Sequence, residues 1–297
     1  MPNTIEKAKI LQKKLDLQMV QEMTTGWMEV NSSQVQYNGG DEVKIPQLLV
    51  TGLGDYKNGY KEGNVTFKFV TRKLTQDRGT SFTLDVRDVD ETAGILNIAS
   101  VMSEFQRTQV VPEVDAYRLS FLASTALENE GYHEEYKPDK DIINHIKDGI
   151  KAIRKAGYNG QLVIHANWDT ITELEKVKPV VANTVTFTAN GVNTTVNQID
   201  NCPILPTADN RMVSKIKIND GTSEFGFTKD LSGKQINFLI VGRDVPVAIT
   251  KLDTIRIFDP MTNQKANGWL ADYRRFHDIW VLDSKKKAIF CSITASE

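Results

Sequence analysis

The sequence predicts an α+β fold, on three observations. Apolar residues recur at helical spacing in some segments. Strict period-two alternation marks others. The two kinds of segment do not follow each other in regular βαβ order.

The first helical stripe falls in residues 4–25, where Ile5, Ala8, Leu11, Leu15, Met19 and Met23 line one side and Lys7, Lys13, Lys14, Gln18 and Glu22 the other. Asn3 is placed to cap this helix with Glu6 as its return partner, and Gly26 to end it. NSSQVQYNGGDEVKIP then reads as loop with one short strand, and LLVTGLGDYKNGYKEG as a further glycine-rich loop.

VTFKFVTRKLTQDRGTSFTLDV, from Val65 to Val86, reads as a long β-hairpin. Val65, Phe67 and Phe69 alternate with Thr66 and Lys68, and Phe82, Leu84 and Val86 alternate with Thr83 and Asp85 on the way back. TQDRGT supplies the turn, with Gly79 free to take a positive φ. A strand of about ten residues spans roughly 33 Å. A lone ribbon of that length is marginally stable at best, so it requires a surface to pack on.

Two helices follow. Asp88 and Glu91 form a capping box for the first, whose buried side is Ile95, Ile98, Met102 and Phe105. Pro112 suits the first turn of the second, which buries Val114, Tyr117, Leu122 and Leu127 and stops at Gly131. A third helix, Asp139 to Lys155, carries Ile142, Ile143, Ile146, Ile150 and Ile153. Leu162 to His165 reads as a buried strand, followed by a short helix. Asn183 to Leu205 is β-rich around an Asn190–Gly191 turn. KQINFLIVG is another buried strand, and RRFHDIWVLDSKKKAIFCSI reads as a second hairpin.

Composition narrows the function. The chain has 297 residues, 40% hydrophobic and 25% charged, which suits one large or two ordinary globular domains. Its formal net charge is -2 and it holds no long run of Lys or Arg, which argues against a protein that grips nucleic acid directly. Two distant cysteines, Cys202 and Cys291, fit a reducing compartment. No apolar run reaches membrane-spanning length, and the N-terminus lacks the pattern of a signal peptide.

No catalytic constellation emerges, so the chain is not expected to be an enzyme. Asp85, Asp88, Asp90 and Glu91 are the best metal candidates, but they lack the glycine of a calcium loop and serve equally as helix caps. GLGDYKNG places Lys57 where a dinucleotide turn needs its third glycine. His133, His145, His165 and His277 are scattered, without zinc-pair spacing. No cofactor and no metal is expected. Phe67, Phe69 and Phe82 beside Arg72 and Lys73 could form a stacking platform for single strands, but packing against protein suits their mixed charge better.

Two long strings carry a family resemblance. DVRDVDETAGILNIASVMSEFQRTQVVPEVDAYRLSFLA and KQINFLIVGRDVPVAITKLDTIRIFDPMTNQKANGWLADYRRFHDIWVLDSKKKAIF resemble the signature regions of tailed-phage major capsid proteins, and the similarity extends from Ile45 to Thr294. The resemblance implies the Hong Kong 97-type shell fold. It assigns 1–44 to an N-terminal arm, 45–59 and 87–135 to a P-domain with a spine helix, 60–86 to an extended E-loop, 136–250 to an A-domain and 251–297 to return strands of the P-domain. It implies pentamers and hexamers of the chain itself, closing into an icosahedral shell around double-stranded DNA, assembled in the host cytoplasm and located in the virion capsid. On this reading the subunit contact draws on Val65, Phe67, Phe69, Arg72, Asp77, Arg78, Gly79, Phe82 and Leu84 of the hairpin and on Leu11, Leu15 and Met19 of the arm.

A near-neutral wall would touch packaged DNA only weakly, without base specificity. Membrane is not expected as a partner. The best-known family member begins with a scaffolding propeptide, whereas here the arm starts at Met1; a separate scaffolding protein, or none, is therefore expected, together with a portal protein. Encapsulins, the nanocompartments of bacteria, share the fold, but MSEFQRTQVVPEVDAY resembles the phage side.

Overall fold

The structure, a computed structural model, describes residues 23–34, 36–37, 40–52, 55–56, 61–87, 98–177, 184–189 and 192–295. The expected N-terminal helix, with Leu11, Leu15 and Met19, lies outside these residues except at its end. There Met23 is buried, Thr24 and Thr25 form a turn, and Gly26 opens a 3₁₀ segment, Gly26–Gln34, instead of closing a helix.

The chain continues through β1 (Gln36–Tyr37), β2 (Glu42–Val50), β3 (Val65–Lys73) and β4 (Gln76–Asp85) to α1 (Ile98–Phe105) and α2 (Val111–Leu127). Next come β5 (His133–Glu135), α3 (Ile142–Lys155), β6 (Leu162–Ala166), α4 (Trp168–Val177), β7 (Thr184–Ala189), β8 (Val192–Ile199) and β9 (Cys202–Pro206). Strands β10 (Ile216–Ile218), β11 (Phe227–Lys229), β12 (Ile236–Gly242), β13 (Pro246–Phe258), β14 (Gly268–Val281) and β15 (Ile289–Ile293) complete it.

The expected α+β class is the observed one. A seven-stranded sheet, ordered β5-β15-β12-β6-β9-β8-β7, holds the main core. β12 is buried along its whole length because it pairs with β15 on one side and β6 on the other. The isoleucine stripe of α3 enters this core through Ile142, Ile146, Ile150 and Ile153. Gly149 lets the helix lie close to the sheet: a Cβ there would stand 2.8 Å from Ile240 Cδ1 and from Phe290 Cδ1. β7 and β8 pair with Ala189 opposite Val192, as the expected two-residue turn requires.

The two helices expected on either side of Pro112 form one continuous rod. α1 runs into α2 through a π-helical turn, Gln106–Val110, in which the Val111 N–H bonds the Gln106 carbonyl. The wider turn comes just before Pro112, whose ring would crowd a regular helix and whose nitrogen has no proton to donate.

The C-terminal hairpin does not form. β14 pairs with β13 and β4 in a separate three-stranded sheet, while β15 pairs with β12 and β5. A 3₁₀ turn, Asp283–Ala288, carries the chain from one sheet to the other. Residues 251–297 thus contribute to both sheets, β13 and β14 to the three-stranded one and β15 to the seven-stranded one.

Candidate inter-subunit interface

The long ribbon exists, but its strands differ from those expected. β3 pairs with β2, from Val50 opposite Val65 to Glu42 opposite Lys73, and β4 pairs with β14 from Gln76–His277 to Asp85–Gly268. The Val65–Val86 segment thus divides at Leu74 and Thr75, one half projecting and the other lying on the body of the same chain. β2 falls where the polar, glycine-bearing sequence predicts loop with one short strand, and it runs through Pro46. β1 covers only Val43 and Lys44 of β2, so Pro46 sits where the strand is already an edge, and proline is tolerated there.

Residues directly opposite in an antiparallel pair share a face. Val50 with Val65, Leu48 with Phe67, and Pro46 with Phe69 therefore make one apolar face on the ribbon. It is open to solvent: Leu48 is 60% exposed, Val50 65%, Val65 63%, Phe67 59% and Phe69 41%. Phe67 and Phe69 meet edge to face with centroids 5.1 Å apart, a favourable aromatic geometry within the stripe. Covering five such side chains would contribute on the order of 5–10 kcal/mol before ordering costs.

The base of the ribbon is fixed through its opposite face. Val43 and Leu74 are buried in a small cluster with Val247, Ile249 and Phe276 of the three-stranded sheet. The Leu74 N–H also bonds the Asp41 carbonyl at 2.9 Å.

Of the remaining hairpin residues expected at the contact, all but Arg72 fall on the body. Arg72 is exposed on β3. Asp77 is paired with Arg274 at 2.6 Å, and that hydrogen-bonded guanidinium holds its carboxyl below the usual range. Arg78 donates to both oxygens of Glu113 on α2, at 2.7 and 3.1 Å, and to the Asn219 carbonyl at 2.7 Å. Gly79 is not in a turn. It lies inside β4 opposite Arg274, where a Cβ would stand 3.0 Å from the Tyr273 carbonyl oxygen. Phe82 turns inward onto Phe105, with centroids 4.8 Å apart, and packs on the cluster of Met102, Val110, Val111 and Val114. Leu84 is half-buried opposite Trp269.

Between β4, the α1–α2 rod and the β10–β11 turn runs a groove of about 600 Å³. Phe82, Phe105, Val110, Val114 and Tyr273 make its apolar lining, and Arg78 and Glu113 stand at its polar side. Phe225 projects beside it and is largely exposed.

A buried charge network was missed by the sequence reading. Arg118, fully buried on α2, meets Glu29 of the 3₁₀ segment at 2.6 Å. Arg275 of β14 meets the same Glu29 oxygen at 3.2 Å and Asp253 of β13 at 2.6 Å. Burial alone would raise the Glu29 pKa, but Arg118 and Arg275 outweigh it and hold the carboxyl below its ordinary value. Nearby, Asp115 accepts from the backbone N–H groups of Thr24 and Thr25 at 3.0 and 3.1 Å and pairs with Arg211 at 3.0 Å.

These groups brace the N-terminal segment against the rod and the sheet, and the arrangement is structural. Among the described residues, no group of three or more His, Cys, Asp or Glu could hold a metal ion, and no helix is long and apolar enough to cross a membrane. Of the acidic cluster suggested by the sequence, Asp85 bonds the Arg87 N–H, and Asp88, Asp90 and Glu91 lie outside the described residues.

No family model and no curated protein sequence matches the chain. Solved structures do. The capsid of the cyanophage P-SCSP1u is similar at a TM-score of 0.60, with 11% identity over 88% of this chain and 86% of that one. The mature capsid of bacteriophage PhiM1 gives 0.57, with 11% identity over 88% and 84%. The chain has the fold of phage capsid proteins. The capsid fold also accounts for the similarity to a virus-like particle from Pyrococcus furiosus, which gives 0.52 with 12% identity over 95% and 98%.

Proposed function

We propose that the chain is the major capsid protein of a tailed phage or prophage, assembling through pentamers and hexamers into an icosahedral shell around double-stranded DNA. The observation that carries this reading is the ribbon of β2 and β3, whose long apolar face has no bed among the described residues. An exposed apolar patch of this kind marks an interface. A head-to-tail contact that closes by rotation makes rings, and rings of five and six close a shell. The groove beside β4 is the receiving surface we assign to it, because Phe82, Phe105, Val110, Val114 and Tyr273 give it an apolar lining: one copy offers a ribbon, the next offers a bed.

The domain assignment follows the strands. The E-loop is the β2–β3 ribbon with the chain between them, the P-domain is the α1–α2 rod with the β13-β14-β4 sheet, and the A-domain is built on the seven-stranded sheet. The formal net charge of -2 suits a wall that contacts packaged DNA weakly. A separate scaffolding protein and a portal belong to the same reading.

The second reading, an encapsulin-type compartment, is favoured only by the Pyrococcus furiosus virus-like particle. Sedimentation velocity and electron microscopy of the purified chain, alone and co-expressed with its genomic neighbours, test both. Closed particles holding DNA support the phage shell, and particles holding a protein cargo support the compartment. A chain that stays monomeric under all these conditions refutes both.

A further inference from the structure

We propose that Asp278, with Thr75 and Tyr117, forms a latch that sets the angle at which the ribbon leaves the body. β4 starts at Gln76, opposite His277 of β14. One residue further along β14, Asp278 is buried and receives the corner where the chain departs. Its Oδ2 accepts from the Thr75 backbone N–H at 2.8 Å and from the Thr75 hydroxyl at 2.9 Å. Its Oδ1 accepts from the Tyr117 hydroxyl at 2.7 Å and from the Ile279 N–H at 2.8 Å. One carboxylate therefore gathers four donors from the corner, the rod and the sheet. A carboxylate has the lone pairs to accept from all four, whereas an amide nitrogen in place of either oxygen would face a backbone N–H with no acceptor to offer it.

The position of this latch gives it leverage. β3 is nine residues long, a lever of roughly 30 Å, so a rotation of about 10° at the corner moves the far end by about 5 Å, one strand-to-strand spacing. The apolar cluster of Val43 and Leu74 holds the base in place, but it is non-directional and does not by itself fix an angle. The directional bonds to Asp278 do. The consequence for shell curvature rests on the capsid reading, whereas the angle itself is a property of the single chain.

The decisive substitution is Thr75→Val, with Thr75→Ser as its conservative rescue. Thr75 is exposed, so Thr75→Val removes one donor from the latch without opening a core. Spin labels at Lys68→Cys on the ribbon and Lys147→Cys on α3 report the angle in the unassembled chain, both native cysteines being buried. Thr75→Val, and more strongly Asp278→Asn, should give a distance distribution about twofold broader, with Thr75→Ser matching the parent. Under assembly conditions, Thr75→Val should give mixed particle diameters where the parent gives one. A Thr75→Val or Asp278→Asn distribution as narrow as the parent's, at unchanged melting temperature, overturns the latch. If the parent forms no particles at all, the capsid reading fails, and the spin-label distances still decide the latch.

Discussion

The Arg118 guanidinium, fully buried on the rod, sits 2.6 Å from the Glu29 carboxylate, which Arg275 approaches at 3.2 Å from the sheet. Two cations on different elements thus share one acid from the N-terminal segment. The Thr250 hydroxyl bonds the same oxygen at 3.1 Å. This single carboxylate ties three parts of the fold together.

Glu29→Gln should therefore destabilise the chain by roughly 3–5 kcal/mol, because removing one partner leaves buried guanidinium charge uncompensated. Asp253 still compensates part of the Arg275 charge, so Arg118 is the residue left exposed to the loss. Chemical denaturation of the unassembled chain measures this directly. A change below 1 kcal/mol would mean that solvent reaches the network and replaces the acid.

Acid stability should depend on His165. It is fully buried, accepts a hydrogen bond at Nε2 from the Trp27 indole N–H at 3.3 Å, and is pushed down to about 4 by burial. A base with a depressed folded pKa binds fewer protons folded than unfolded. Its contribution is thus complete above pH ~6.5 and is lost as pH falls toward about 4, a change on the order of 3 kcal/mol. Burial lowers His277 in the same direction, with Arg275 and Arg118 adding to the effect. Glu29 acts at lower pH, since an acid with a depressed pKa loses its contribution only as pH falls through that folded value. Unfolding free energies measured between pH 7 and pH 4 should fall steadily, and His165→Gln should flatten the upper part of that curve.

Replacing Phe67 and Phe69 with Ser should separate folding from assembly. Both rings face solvent on the ribbon and neither belongs to a buried cluster, so unfolding free energy should change by no more than about 1.5 kcal/mol, the size of the lost ring pair. Particle formation should be lost, because the apolar face is what a neighbouring copy would cover. Circular dichroism and sedimentation give the two readouts. A double mutant that unfolds outright places the stripe in the subunit's own core, and one that assembles at parental yield removes the ribbon from the interface.

Elements with a local signature were legible in the sequence. The isoleucines of α3, the unbroken apolar run of β12 and the β7–β8 pairing that brings Ala189 opposite Val192 each carry their pattern within a few residues. Strand partners were not. Period-two alternation tells which face of a strand is dry but not which strand lies beside it. The same alternation in β3 and β4 therefore suited a hairpin, although the two strands belong to different sheets. The acid and base residues of the network were invisible for a related reason. Glu29 stands 89 residues from Arg118 and 246 from Arg275, and nothing in either neighbourhood announces a partner at such a distance. The exposed half of the ribbon was legible, because Phe67 and Phe69 alternate with Thr66 and Lys68 on the strand that does project.

Gly79 tests the corrected strand assignment. As a hairpin turn, it would favour glycine for a positive φ, and most residues with a side chain, asparagine excepted, would strain it. As an interior residue of β4, it is constrained instead by Arg274 and the Tyr273 carbonyl across the sheet. A Cβ at 3.0 Å from that oxygen is tight, so the neighbour must yield by a few tenths of an ångström. Gly79→Ala should then be nearly tolerated, with better strand propensity offsetting the contact. Gly79→Val adds an isopropyl group beside the groove and should cost about 1–3 kcal/mol. Gly79→Asn separates the two cases: it would be mild in a left-handed turn, where asparagine is accommodated, but should be worse than alanine in a strand. Thermal melts of the three variants rank them, and an order in which asparagine is the best tolerated would return Gly79 to a turn.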